Sequence, residues 1–354
     1  MVRVLIVDDS RYVRDMLGHI LGEHSEIEVV GAAADPFEAR ELIKKLNPDV
    51  VTLDIEMPRM DGLTFLEIIM KLRPTPVVMM SSLTKKGASQ TIRALEIGAL
   101  DFIAKPESLS AEGMKALQGE ICEKVIQASK VKMRAPSRRF YANAVSGAVG
   151  SKRVITATGT VIAIGASTGG VTAIGDVLAE FPDNAPPVMV TQHMPAGFTE
   201  KFAARLNSQI QPTVAEAKQG DVLKMGHVYI APGGYQMALA RSSGDYLCHL
   251  YPGDLVSGHR PSVDVLFASV AETVGRKAIG IILTGMGKDG AEGLLSMKKA
   301  GAYTIGQNEA TSVVYGMPQE AFDIGALVQQ LPLSAIASTI LTKCVYGDAK
   351  RQLA

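Results

Sequence analysis

No tryptophan occurs in this 354-residue chain, and its three cysteines are too few and too scattered to staple a fold. Cys122, Cys248 and Cys344 are odd in number and lack metal-ligand spacing. That excludes a disulfide framework and a cysteine zinc cluster, and points to buried, reduced thiols. Net charge is missing too. The 36 basic and 36 acidic side chains balance, so nothing in the overall charge favours nucleic acid or an anionic membrane as the main partner. No apolar run approaches the length of a membrane span, which argues against membrane insertion. Met1 to Val7 is short and followed at once by Asp8 and Asp9, unlike a secretory leader. A cytoplasmic protein is expected. Methionine is plentiful, at 16, which suits adaptable packing more than it indicates any one chemistry.

The length leaves room for two domains, each with its own core. The most informative stretch is Val161 to Gly170, Val-Ile-Ala-Ile-Gly-Ala-Ser-Thr-Gly-Gly. Its apolar start reads as a buried strand, and Val171 to Glu180 has helical periodicity. Ser167 therefore falls at a strand-to-helix turn, where backbone N–H groups can face developing negative charge. The letters fit the G-x-S-x-G nucleophile pattern. A phosphate loop would need a lysine where Val171 stands, and a dinucleotide turn would need glycine in place of Ser167. A turn without chemistry remains the plain alternative unless the chain supplies a base and an orienting acid.

Residues 1–123 alternate strands and helices at short intervals. Val2 to Val7, Val29 to Ala33, Val50 to Leu53, Val77 to Met80 and Asp101 to Ile103 read as strands, with amphipathic segments near 11–22, 36–46, 62–72, 87–97 and 110–127. Five such units predict a doubly wound parallel sheet with ligands at the strand C-terminal ends. Polar groups gather at those ends: Asp8 and Asp9, Asp54, Ser81 and Ser82, and Lys105 with Pro106. Clustered carboxylates repel one another unless a cation sits among them. Oxygen-only ligands suit Mg²⁺. With Lys105 and a serine hydroxyl close by, the pattern describes a phosphoryl group beside a metal, with one carboxylate as nucleophile.

Val7-Asp8-Asp9-Ser10, Asp54 with Met57-Pro58 and Asp61-Gly62, Ser81, and Lys105-Pro106 resemble the receiver domain of two-component response regulators. That resemblance implies a flavodoxin-like fold, Asp54 as phosphoacceptor and a cognate histidine kinase as phosphodonor. It also implies Mg²⁺ held by Asp9, Asp54 and the Glu56 carbonyl with help from Asp8. Ser81 and Phe102 would be the switch hydroxyl and switch aromatic. Residues 124–155 follow as a linker: Lys124, Lys130, Lys132, Arg134, Arg138, Arg139, Lys152 and Arg153 stand among small residues, with no acid between Lys124 and Arg153.

Residues 156–346 predict a second α/β sheet, mainly parallel and Rossmann-like. After the Ser167 turn, Pro187 to Thr191 ends at His193, Gly226 to Ile230 ends at Ala231-Pro232-Gly233, and Ala278 to Leu283 runs into a glycine-rich loop holding Asp289. Tyr303 to Gly306 is a further strand, and Met237 to Ala240 with Tyr246 to Leu250 reads as an inserted hairpin. Ser167, His193 and Asp289 all lie beyond the C-terminal ends of strands, the edge where sites form. His193 is placed to take the serine proton, and Asp289 to fix the imidazole. The other five histidines, His259 among them, read as structural or incidental.

Gly165 to Gly170, Gln192-His193-Met194, Ala231-Pro232-Gly233, Gly258 to Asp264 and Leu283 to Gly290 resemble the catalytic domain of chemotaxis protein-glutamate methylesterases. The resemblance implies hydrolysis of glutamate γ-methyl esters on chemoreceptor cytoplasmic domains, often with deamidation of receptor glutamines, and no cofactor for the hydrolysis. It carries Ser167, His193 and Asp289 over as nucleophile, base and orienting acid, with N–H groups at Met286 and Thr168 serving the oxyanion. On the residues alone, a receiver-controlled hydrolase or amidase on another substrate, or a non-enzymatic receptor-binding regulator, also fits. A transcription regulator does not, because the second half has no helix-turn-helix pattern or basic stripe.

Overall fold

Short apolar runs separated by amphipathic segments become parallel strands in both halves of the chain. In the computed structural model, which describes residues 1–105, 111–131, 133 and 159–346, the chain separates into two units, Met1–Ser137 and Arg138–Ala354. In the first, β1 (Val2–Val7), β2 (Ile27–Ala33), β3 (Val50–Asp54), β4 (Val77–Ser81) and β5 (Asp101–Ala104) alternate with α1 (Arg11–Gly22), α2 (Pro36–Leu46), α3 (Gly62–Leu72), α4 (Lys85–Ile97) and α5 (Ala111–Ser129). The strands pair in the order β2-β1-β3-β4-β5, all parallel. Val4 to Val7 and Val50 to Leu53 are fully buried, as expected for parallel strands covered on both faces. Each strand stops where polar residues arrive. Ser10, Asp35, Asp61 and Thr84 then cap α1 to α4 by accepting from backbone N–H groups of the first turn. The strand order reverses beside β1, so the crevice over the ends of β1 and β3 is where this topology binds ligands.

Helix α5 runs to Ser129, so Lys124 is a helix residue and not the first residue of a linker. Its ammonium lies 2.8 Å from Glu120 and 3.3 Å from Asp101, and donates to the Phe102 carbonyl at 2.6 Å. Lys130 closes the turn after α5, and the linker's remaining basic residues, from Lys132 to Arg153, lie outside the described residues.

The second unit has β6 (Val161–Ala166), β7 (Val188–Gln192), β8 (Thr213–Glu216), β9 (His227–Ile230), β12 (Ala278–Ile282), β13 (Tyr303–Gln307) and β14 (Gln329–Leu331). They form one sheet in the order β14-β13-β12-β6-β7-β9-β8, every pair parallel. Edge strands β8 and β14 carry no apolar run (Thr-Val-Ala-Glu and Gln-Gln-Leu), so hydrophobic periodicity does not reveal them. Helices α6 (Gly170–Leu178), α7 (Phe198–Asn207), α8 (Val263–Val274), α9 (Ala291–Lys299), α10 (Met317–Asp323) and α11 (Leu333–Tyr346) complete it. Helices α8, α9 and α10 pack in one group and α6 with α11 in another, as double winding requires. The order reverses between β6 and β12.

The hairpin β10 (Gln236–Ser242) and β11 (Asp245–Tyr251) forms a separate two-stranded sheet, and Leu247 of β11 also bridges Val222 on its outer side. It lies on α8, where Met237, Leu239 and Cys248 share a core with Leu266, Phe267 and Val270. Ser269 and Thr273 of α8 bond the Leu239 backbone at 2.9 and 3.3 Å. Each large apolar side chain buried here contributes about 1.5–3 kcal/mol, and together they fix the N-terminal end of α8. That end carries the site.

All three cysteines are buried and unpaired. Burial pushes Cys248 up to about 12 and Cys344 up to about 11, and also raises Cys122. Thiolate is the reactive form, so an aromatic disulfide reagent should titrate none of the three in the native protein at neutral pH and all of them after denaturation. Rapid titration of a native thiol would contradict this packing. No helix among the described residues is long and apolar enough to cross a membrane.

Candidate active site

Strand β6 ends at Ala166, and Ser167 begins the turn into α6. Its N–H donates to the Thr284 carbonyl at 3.1 Å, and its carbonyl accepts from Gly170 N–H at 2.7 Å. Gly169, the N-cap of α6, has φ 77°, a conformation that disfavours a side chain. A Cβ there would also meet Val313 at 2.7 Å. Gly285, just past β12, is needed for a different reason. A Cβ on it would fall 2.9 Å from the Ser167 Cβ, so its absence lets the loop after β12 close against the serine.

Strand β7 delivers Gln192 and His193 beside the same turn. The His193 N–H donates to the Ala166 carbonyl at 3.2 Å. The Gln192 side-chain amide, 3 % exposed, donates to the carbonyls of Ser167 (2.9 Å) and His193 (3.4 Å). It therefore couples the Ser167 turn to the His193 turn. Its role was not apparent from sequence, where it reads as one polar residue at a strand end.

Asp289 is 1 % exposed and accepts four hydrogen bonds. His193 Nε2 and the Val263 N–H reach Oδ2, each at 2.7 Å; the Ser262 hydroxyl (2.7 Å) and the Asp264 N–H (3.1 Å) reach Oδ1. Two of these donors are the first N–H groups of α8, where a negative charge is favoured. Burial alone would raise the carboxyl, but the His193, Val263 and Ser262 bonds outweigh it and hold Asp289 below the usual range. Asp264, in the first turn of α8, in turn accepts from the Gly293 N–H of α9 at 2.8 Å. Asp289 and Asp264 thus each serve the start of the other's neighbouring helix. Burial, together with the charge of Asp289, raises Asp264.

With Nε2–H committed to Asp289, Nδ1 is the basic nitrogen of His193. It is buried and has no hydrogen-bond partner among the described residues. His259 departs from the incidental role expected of it. Its ring stacks on His193 with centroids 3.6 Å apart and planes 13° from parallel. A lone histidine between Gly258 and Arg260 gives no sequence signal of that contact. Thr168 is buried. The Met286 N–H makes no hydrogen bond within the described residues, and Met286 follows Gly285, the residue packed on Ser167.

In the first unit, Lys105 reaches Asp8 at 2.9 Å and Asp54 at 2.8 Å. Asp8 is 0 % and Asp54 4 % exposed. Burial and the charge of Asp8 push Asp54 up to about 6 despite Lys105 and a bond from the Glu56 N–H. Oxygens of Asp8, Asp9 and Asp54 lie within 4.8 Å of one another. This crowded, all-oxygen set, with Asp9 open to solvent, fits a hydrated divalent cation, which would relieve the repulsion. Ser81 is engaged elsewhere: its hydroxyl accepts from Thr91 of α4 at 2.6 Å and lies 3.4 Å from the Gly87 carbonyl. Phe102 is buried, with the Lys124 ammonium 5.3 Å from its ring centre.

Residues 162–340 match the family model for the CheB methylesterase, and residues 4–117 that for the response regulator receiver domain. The protein-glutamate methylesterase/protein-glutamine glutaminase 1 of Caulobacter vibrioides is 53% identical over 341 residues, covering 96% of this chain and 97% of that protein. The protein-glutamate methylesterase/protein-glutamine glutaminase of Salmonella typhi is 50% identical over 350 residues, 99% of each chain. Among solved structures, the Thermotoga maritima CheB methylesterase catalytic domain is 38% identical and superposes with a TM-score of 0.51, covering 51% of this chain and 97% of that domain.

Proposed function

Because the chain belongs to the protein-glutamate methylesterase/protein-glutamine glutaminase family, with a receiver domain ahead of the catalytic one, we propose that it is a phosphorylation-controlled serine esterase with the triad Ser167, His193 and Asp289. Its substrates are glutamate γ-methyl esters on chemoreceptor cytoplasmic domains. One observation carries the assignment. Asp289 saturates Nε2 of His193, leaving a buried, unpartnered Nδ1 on a strand end tied by Gln192 to the Ser167 turn.

In the reaction, His193 Nδ1 takes the Ser167 proton as Oγ attacks the ester carbonyl. Asp289 stabilises the imidazolium and fixes its tautomer. The N–H groups of Met286 and Thr168 face the oxyanion. Collapse expels methoxide, which leaves as methanol with the proton from His193. Water, deprotonated by His193, then attacks the acyl-enzyme; the acyl–Oγ bond breaks, His193 returns the proton to Ser167 Oγ, and the free γ-carboxyl group departs and ionises. A receptor glutamine follows the same path and releases ammonia. Every proton and electron pair is handled by groups of the chain or by water, so no cofactor is required for hydrolysis. Methanol release from methylated receptor membranes tests the reading. A folded enzyme that binds these membranes and releases none would favour the non-enzymatic alternative.

Asp54 is the proposed phosphoacceptor, with Asp8, Asp9, Asp54 and the Glu56 carbonyl holding Mg²⁺, which would neutralise the phosphoryl oxygens. A histidine kinase is the donor, and the cytoplasm, where receptor tails and kinase meet, is the working compartment. Phosphorylation adds charge and acceptor oxygens beside Lys105 and gives the Ser81 hydroxyl an alternative to Thr91; Phe102 is placed on the adjoining strand to respond. A small-molecule phosphodonor with Mg²⁺ should raise methanol release by the full chain about 10- to 100-fold, the range that a few kcal/mol of coupling allows. Asp54→Ala should keep the basal rate and lose the response. Equal rates for both proteins with and without donor would remove the receiver from control of this site.

A further inference from the structure

Gln236, the first residue of β10, is 1 % exposed and uses its whole side-chain amide on one loop. Its Nε2 donates to the carbonyls of Asp254 (2.9 Å) and His259 (3.1 Å), and its Oε1 accepts from the Ser262 N–H at 2.8 Å. The loop so gripped has little packing of its own: Asp254, Leu255, Val256, Ser257, Gly258 and Arg260 are all exposed. Within it, Val256 and His259 exchange backbone bonds at 3.1 and 2.9 Å, closing a tight turn. Two of its residues touch the triad. His259 lies flat on His193, and the Ser262 hydroxyl donates to Asp289.

On the triad reading given above, we infer that Gln236 is a positioning residue of the esterase: its amide fixes the loop from Asp254 to Ser262 so that His259 covers His193 and Ser262 meets Asp289. One buried amide thereby sets both partners of the histidine–aspartate pair. A side chain with three directed bonds holds an otherwise exposed loop in a single arrangement, because leaving any of these buried groups unpaired is costly. Small misplacements at a catalytic pair are magnified in the rate.

Loss of the clamp has a definite electrostatic sign. The charged or titratable groups around His193 are Asp289 on the β12 loop, His259 on the clamped loop, and Asp264 behind Asp289. If the loop loosens, His193 loses its covering ring and gains water, which favours imidazolium. Asp289 loses the Ser262 donor and attracts imidazolium more strongly. Both changes move the acid limb of the pH–rate profile upward.

The experiment measures methanol release by the full-length chain from methylated receptor membranes between about pH 5 and 9. Gln236→Met preserves side-chain length and removes all three bonds; Gln236→Glu keeps the acceptor and loses both donors. Far-UV circular dichroism and thermal melting establish that each variant is folded. We expect kcat to fall about tenfold in Gln236→Met with KM within about twofold of wild type, and the acid limb to rise by about half a pH unit. Gln236→Glu should shift in the same direction. Proton NMR titration of His193 should show the same displacement.

A folded Gln236→Met with wild-type kcat and acid limb, or with a change in KM alone, would overturn the inference. So would global unfolding of both variants, since Gln236 would then belong to the fold rather than to the site. Ser167→Ala run in parallel separates the two readings. If it still turns over, the triad assignment fails and takes this inference with it. If it is inactive while Gln236→Met is unaltered, only the clamp is lost.

Discussion

Ser167→Ala is expected to lower methanol release by roughly 10⁴- to 10⁶-fold while leaving the protein folded. The turn is held by backbone bonds from Ser167 to Thr284 and Gly170 and by the Gln192 amide on the Ser167 carbonyl, none of which uses the hydroxyl. Alanine keeps the Cβ that packs against Gly285. The melting temperature should therefore move by only about a degree or two. A stable variant with more than about one per cent of wild-type turnover would mean that another group attacks the ester.

Asp289→Asn should cost catalysis almost as much, up to about 10⁴-fold in kcat, but it should also cost stability. Both oxygens of Asp289 accept two bonds. An amide has one acceptor oxygen. If that oxygen faces His193 and Val263, the NH₂ opposes the Asp264 N–H. If the amide is reversed, the NH₂ opposes the Val263 N–H and presents a donor to His193, which selects the wrong tautomer. Either way a buried donor is left unmet, a penalty of about 1–3 kcal/mol, and α8 loses the negative charge at its start. Urea unfolding alongside kinetics would separate the two losses. A wild-type denaturation midpoint together with a near-normal rate and pH profile would exclude Asp289 from both roles.

The parts of the site that were readable in the sequence share one property: they are reactive residue types placed where a buried apolar run ends. Asp54 closes β3, Asp8 and Lys105 follow β1 and β5, and Ser167, His193 and Asp289 follow β6, β7 and β12. Parallel sheets put such ends on one edge, so topology brings these residues together without side-chain detail. The missed residues act through contacts that no periodicity encodes. His259 depends on the path of an exposed loop, and Gln236 on three bonds across that loop. Asp264 depends on the close approach of the starts of α8 and α9, where it accepts from the Gly293 N–H. Lys124 falls both in the amphipathic segment 110–127 and at the start of the basic run; the helix holds it, and its ion pairs with Asp101 and Glu120 are invisible to composition. Strands β8 and β14 escaped because edge strands need no continuous apolar face.

The pairing of β6 with β12 has a consequence for how the enzyme becomes active. Residues 278–282 lie directly beside 161–165, and the Thr284 hydroxyl donates to the Thr168 carbonyl at 2.9 Å across 116 positions of sequence. Everything between those strands, including β7, the hairpin and α8, must be made before Asp289 can arrive beside Ser167. Long-range parallel pairings form slowly, because loop closure is unfavourable until the contact is complete. On the ribosome, Ser167 and His193 leave the exit tunnel well before Asp289. This site is thus assembled late in synthesis, after the receiver unit has already emerged and had time to fold.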